Sequence, residues 1–195
     1  EIAVIQTVAD AAVAAAGPKY RQTSTIPEVD TSVLGTGKTF MVVSEAEAAT
    51  AAGKHVLASG GNAVDAAVAT AFALAVVHPT AGNLGGGGFA VVRIGAGKSV
   101  ALDFREVAPA AATETMFLDK DGKPTMDSMF GHRASGVPGA VAGLWELHKK
   151  HGKKPWKELV APAIALARDG FVIDKFLAVA LASPRLKMLL SRSPA

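Results

Sequence analysis

The residues best placed to do chemistry are an arginine at a strand end and a run of glycines upstream of it. In Asp103-Phe104-Arg105-Glu106, Arg105 closes an alternating stretch and enters a loop. A guanidinium there can grip a carboxylate through two parallel hydrogen bonds. The same spacing puts Asp103 on Arg105's face, and a local ion pair is the reading that spacing alone favours, since paired charges are often structural. The run Gly85-Gly86-Gly87-Gly88 permits positive φ and close backbone approach. It makes either a tight entry into a central strand or a backbone surface against a ligand or partner chain. It follows a helix and precedes a strand, the wrong order for a dinucleotide fingerprint.

Other candidates are weaker. Gly35-Thr36-Gly37-Lys38-Thr39 resembles the end of a phosphate loop, but position 32 is Ser where a Gly is needed. A strand rather than a helix is expected after it, so no helix N-terminus faces a phosphate. His55, His78, His132, His148 and His151 form no ligand spacing with Asp or Glu. His148 and His151 are one turn apart in a basic cluster and read as surface residues rather than a zinc site. There is no Gly-x-Ser-x-Gly nucleophile elbow.

The elements that must position Arg105 follow from periodicity and turn chemistry. Ala-rich residues 1–16 read as a helix ending at Gly17-Pro18, and 18–38 as an extended arm. Residues 39–43 read as a strand. Ser44 and Glu47 then form a capping box for a helix to about Ser59, stopped by Gly60-Gly61. Asn62 caps the next helix, with Asp65 in its first turn. That helix, Ala63 to Val77, is apolar nearly all round and belongs inside a structure. Strands at 89–94 and 98–105 flank Gly95-Ala96-Gly97 as a hairpin, with Val100, Leu102 and Phe104 on one face and Ala101, Asp103 and Arg105 on the other. Asp119 to Gly122 reads as a turn, and 131–139 as a Gly/Pro loop. A helix spans about 140–150. Trp156, Leu159, Val160, Ala163, Leu166 and Ala167 make a second apolar stripe, which Pro162 breaks or restarts and Gly170 closes. A last helix runs from Asp174 to about Leu181, and Pro184 interrupts it.

Composition bounds the class. Half of the 195 residues are hydrophobic and 19% are charged, as in a globular chain rather than a disordered one. Abundant Ala and Gly suit tight α/β layers. The net charge of +3 comes without an aromatic-lined basic stripe. The lysines at 149, 150, 153 and 154 read as a solvated helix end, not a nucleic-acid surface. The most apolar run, Ala66 to Val77, is too short to span a bilayer. The absence of cysteine excludes disulfides and thiolate metal sites and fits a periplasmic or secreted protein. Glu1 follows no basic n-region, so a signal peptide has been removed or never existed.

Five stretches, in order from about residue 40 to 175, resemble the large subunit of γ-glutamyltransferases. They are Gly60-Gly61-Asn62-Ala63-Val64-Asp65-Ala66-Ala67-Val68-Ala69; His78-Pro79 with Gly82-Asn83-Leu84 and Gly85 to Phe89; Asp103-Phe104-Arg105-Glu106 with Ala108-Pro109; Gly136-Val137-Pro138-Gly139 with Val141-Ala142-Gly143; and Ala161-Pro162-Ala163 with Ala167 to Phe171. The resemblance implies an α/β N-terminal-nucleophile hydrolase fold, an αββα sandwich. Residues 1–38 would be an N-terminal helix and arm, and 39–195 the front of the large-subunit domain, completed by other chain segments. It implies a precursor that cuts itself, and a small-subunit partner whose N-terminal Thr is the nucleophile and whose own amine is the base.

No catalytic residue is then expected in this chain, and neither a cofactor nor a metal is implied. By the match, Arg105 is the substrate-binding residue, gripping the α-carboxylate of a γ-glutamyl substrate. This reverses the preference that spacing gave. Family large subunits run past Ala195 and the small-subunit Thr motif is absent, so a truncated, nicked or partial chain, inactive alone, is expected. The family also holds glutaryl and cephalosporin acylases and a capsule-polymer transpeptidase; a related acylase or a non-catalytic member are the alternatives. Nucleotide binding ranks last.

Overall fold

The computed structural model describes residues 35–97 and 99–191. The helix expected at 1–16 and most of the arm lie outside them. The chain divides into two units after Lys38. Of the first, only residues 35–38 are described, and they carry no regular structure.

The second unit is a helical layer with a hairpin. Its elements are α1 (Glu47–Ala58), α2 (Ala63–Val77), β1 (Phe89–Arg93), β2 (Ser99–Asp103), α3 (Ala140–His151), α4 (Trp156–Asp169), α5 (Lys175–Ala182) and α6 (Pro184–Leu190). The mixed helix-and-sheet class is as expected. α2 is the axis: it packs against α1, α3 and α4, and Val68, Ala69 and Ala73 on it are wholly buried. Phe72 meets Leu144 and Leu159 in one apolar cluster, with Trp156 edge-on to its ring at 5.3 Å. Full burial of a side chain such as Leu159 stabilises the fold by about 1.5–3 kcal/mol. Small residues set the spacing. A Cβ on Gly53 of α1 would strike Thr70 and Val42, so α1 and α2 approach to backbone distance.

The Asn62–Asp65 capping box forms as expected. Asp65 N–H donates to Asn62 Oδ1 at 3.0 Å, and Asn62 N–H to Asp65 Oδ2 at 2.9 Å. Its reach is longer than a local cap. Asp65 is fully buried, and Oδ1 also accepts the backbone N–H of Lys153 at 2.9 Å, with Lys154 N–H at 3.3 Å. Asn62 Nδ2 donates to the last carbonyl of α3, His151 O, at 2.7 Å. The box thus starts α2 and also fastens the α3–α4 turn onto it.

Four expectations are corrected. Residues 39–43 are not a strand: no described neighbour supplies a ladder, and extended backbone without a partner is not a sheet. Ser44 does not open a capping box, because α1 starts at Glu47 rather than Glu45, with Ala46 as its N-cap. The Ser44 hydroxyl instead donates to Ala46 O and shares a hydrogen bond with Thr50 Oγ1. Pro162 neither breaks nor restarts α4. It removes one N–H, and buried Leu159 and Ala163 on either side hold the helix together. His148 is not a surface residue. Its side chain is 13% exposed, its ring packs beside both Trp145 and Trp156, and its Nε2–H donates to Lys154 O at 2.7 Å.

The strand expected at 98–105 is shorter, Ser99–Asp103, so Arg105 lies just past its end. Several other local signals agree. Gly170 closes α4 with φ +82, and the Asp174 side chain caps α5. Asp119 Oδ1 accepts the N–H groups of Asp121 and Lys123 in the expected turn. A further helix, α6, begins at Pro184 itself, the position at which the preceding helix was expected to be interrupted. No helix among the described residues is long and apolar enough to cross a membrane.

Replacing Asp65 by Ala strands the Asn62 and Lys153 donors in the interior. At about 1–3 kcal/mol per unsatisfied buried group, Asp65→Ala should cost about 3 kcal/mol or more in denaturant unfolding of the full-length protein. Asp65→Asn keeps an acceptor and should cost less.

Candidate functional site

Arg105 stands on the middle one of three laced segments. β1 and β2 pair antiparallel, Phe89 opposite Asp103 and Arg93 opposite Ser99. The ladder then runs past both strand ends: Phe104 N–H donates to Gly88 O at 3.0 Å and Gly88 N–H to Phe104 O at 3.4 Å. On the other side Val107 and Val137 exchange N–H to C=O bonds at 3.2 and 2.8 Å. The flanks are themselves tied, since Gly86 O accepts the N–H groups of Gly139 and Ala140 at 2.9 Å. That carbonyl serves donors at the N-terminus of α3, where helices leave such groups unsatisfied.

The glycines are what let the segments come this close. A Cβ on Gly87 would meet Arg105 Cα and Glu106 N, and one on Gly139 would meet the carbonyl of Phe104, all closer than 3.0 Å. The Phe104 ring lies against Gly143 of α3 and Gly88. The four-glycine run is therefore both a strand entry and a backbone surface, and its last two members, Gly87 and Gly88, lie against the Asp-Phe-Arg-Glu segment.

The favoured ion pair between Arg105 and Asp103 does not form. Asp103 Oδ1 instead accepts the backbone N–H of Arg105 at 3.0 Å. The guanidinium is 67% exposed, and among the described residues its nearest carboxylate is Glu106, with Nε to Oε1 at 3.9 Å, beyond hydrogen-bond length. Phe89 and Val91, on the same hairpin face, are 64% and 53% exposed. Arg105 is thus presented on an open face with its hydrogen-bonding groups available for a planar anion.

Other charges are spent elsewhere. Hydrogen bonding to Lys150 holds the Glu146 carboxyl below its usual range, and Arg168 does the same for Asp169. Both pairs are exposed. Lys149 and Lys150 pair with Glu146, and Lys154 with Glu158, so the basic cluster is in part a solvated helix face. The backbone of Lys153 and Lys154 serves Asp65, a role no charge count can reveal. Among the described residues no group of three His, Asp or Glu could hold a metal. What sequence reasoning missed is the contribution of Phe104, Gly139 and Gly143. Their signal is the small-residue spacing of Gly136-Val137-Pro138-Gly139 and Gly143, which marks close approach but not its target.

Comparison with known proteins is consistent across sequence and structure. Residues 49–194 match the family model described as gamma-glutamyltranspeptidase. The chain is 58% identical over 123 residues to the glutathione hydrolase proenzyme of Pseudomonas aeruginosa, covering 62% of this chain and 22% of that protein. It is 53% identical over 139 residues to the Escherichia coli glutathione hydrolase proenzyme, covering 71% and 24% respectively. The crystal structure of Helicobacter pylori gamma-glutamyltranspeptidase superposes with a TM-score of 0.77 at 47% identity, over 82% of this chain and 45% of that one. The chain therefore spans about a quarter of the length of these two curated relatives.

The Arg105–Glu106 contact is exposed and long. Glu106→Gln should therefore change the unfolding free energy by less than about 0.5 kcal/mol, as read from a denaturant titration. A larger loss would mean that the pair anchors the loop.

Proposed function

The chain belongs to the gamma-glutamyltranspeptidase family, and from that premise we propose that it is the front part of the large subunit of an enzyme acting on γ-glutamyl amides. Its helices and hairpin then belong to the αββα sandwich of N-terminal-nucleophile hydrolases, and residues 39–195 are one portion of a domain completed by other chain segments. The reaction is transfer of a γ-glutamyl group from a glutathione-like donor to water or to an acceptor amine. The observation that carries this reading is the presentation of Arg105: an exposed guanidinium whose one ion contact among the described residues is long, on a laced backbone, inside a motif matching the family's.

The chemistry divides between chains. Arg105 takes the donor's α-carboxylate in a bidentate grip, which fixes the distance and orientation of the γ-carbonyl. The N-terminal Thr of a small subunit attacks that carbonyl, with its own α-amine accepting the hydroxyl proton. The amide C–N bond breaks, the leaving amine takes that proton, and a γ-glutamyl ester remains on Thr. Water or an amine then attacks the ester and regenerates Thr. Arg105 forms no bond to the reacting carbon; its work is to hold the donor, through a contact made alike in the ground and transition states. The "proenzyme" in the relatives' names supports a self-processed precursor and a heterodimeric product. The lack of cysteine supports a periplasmic or secreted location.

Two measurements test the proposal. Denaturing mass analysis with N-terminal sequencing of the protein as isolated should find a second polypeptide beginning with Thr; its absence would reduce the enzyme reading to ancestry. In the processed enzyme, Arg105→Ala should raise the KM for a γ-glutamyl anilide by about tenfold to a hundredfold, the equivalent of a charged hydrogen bond worth about 1.5–3 kcal/mol. An unchanged KM would remove Arg105 from the substrate site.

A further inference from the structure

Arg105 reaches its place through a residue that meets no substrate. Phe104 precedes it in the chain and, by strand alternation, points to the opposite face. The Phe104 ring lies directly on the backbone of Gly143 in α3, and its other side meets Gly88. A Cβ on Gly143 would overlap the Phe104 ring and Cβ. Behind the ring, the Phe104 carbonyl sits so close to Gly139 that no side chain fits there. α3 is itself fixed, with Ala140, Leu144 and Leu147 buried in the helical layer. The ring therefore measures the distance between this rigid helix and the strand that ends in Arg105.

We infer that Phe104, seated on Gly143, is the positioning residue that sets the height and direction of the Arg105 guanidinium. The inference rests on the substrate role proposed for Arg105 and deepens it. Hydrogen bonds along the segment fix its register, because Gly88 and Val137 hold it on either side. They leave it free to tilt about its own axis, and the ring removes that freedom. A methyl group added at Gly143 pushes the ring and the Phe104 Cα away from α3. Arg105, attached by the next peptide, swings through the same tilt. Displacement of about 1 Å in a positioning group can cost up to about a hundredfold. Because the carboxylate contact is held equally in the ground and transition states, the loss falls on KM and leaves kcat in place.

The test uses the full-length, self-processed enzyme and a γ-glutamyl anilide donor. Gly143→Ala should raise KM about tenfold with kcat within about twofold. Phe104→Leu alone, which leaves room rather than a clash, should raise KM by a smaller factor. It stands in if Gly143→Ala does not fold. Leu159→Ala is the control: it empties the core and lowers Tm but should leave KM unchanged. A well-folded Gly143→Ala or Phe104→Leu enzyme with wild-type KM overturns the inference. So does a KM shift in Leu159→Ala as large as theirs, or a fall in kcat in place of a rise in KM. Arg105→Ala, measured beside them, separates the two levels. If it raises KM while the Phe104 and Gly143 variants do not, only the positioning role fails. If Arg105→Ala itself leaves KM unchanged, the substrate reading fails and the inference with it.

Discussion

Everything in the helical layer is referred to one buried carboxylate. Asp65 is wholly inside, where an uncompensated charge would be costly. It is tolerated because its two oxygens collect backbone N–H groups from two places, at the start of its own helix and in the α3–α4 turn. The His148 ring is 3.9 Å away and bonds the Lys154 carbonyl in the same turn. Neutral peptide dipoles do here what a counterion does elsewhere. Their positions are more exacting than those of a flexible lysine, so the anion specifies geometry as well as contributing energy. With Asn62 closing the end of α3, three helices share one polar joint inside an otherwise apolar packing.

That joint sets the platform on which the arginine stands. α3 leaves Asp65's neighbourhood at its C-terminal end and meets the hairpin at its N-terminal end, where Gly86, Gly139 and Gly143 receive the strand. The route from buried carboxylate to exposed guanidinium runs along a single helix. Polar satisfaction governs one end and steric contact the other. The face beside Arg105 is open, with Phe89 and Val91 exposed on it.

Much of this was legible in the sequence, and the limits have physical causes. The Asn62–Asp65 box, the buried α2, the hairpin with its face assignment and the Asp119 turn are local signals, written in residues three or four apart. The Ser44–Glu47 pair carried the same signature but failed, because a capping box needs the helix to begin beside it and α1 begins two residues late. Residues 39–43 have strand composition, yet a strand exists only with a partner, and partners are set by tertiary structure. His148 was misjudged because neighbouring lysines suggested a surface. It in fact continues the buried stripe of Ala140, Leu144 and Leu147, a period of four and three that points inward. Around the site, Arg105 and the glycine run were both recognisable, whereas their mutual contact spans loops far apart in sequence. No motif could say that Asp103 would serve a backbone N–H in place of the guanidinium.

The Asp65–Lys153 hydrogen bond joins residues 88 positions apart, and the whole hairpin with Arg105 lies inside the loop it closes. The entropic cost of such closure grows only logarithmically with length, but it has to be met before the contact gives anything back. The helix pair α1–α2 needs no such closure, since only a short turn separates its members, and it can assemble while the rest of the chain is still being made. The α3–α4 turn can dock only after residues 153 and 154 exist, and that docking encloses the hairpin between two fixed points. The arginine's surroundings are thus tied off by a contact of long sequence range, and the carboxylate is the latch of that closed loop.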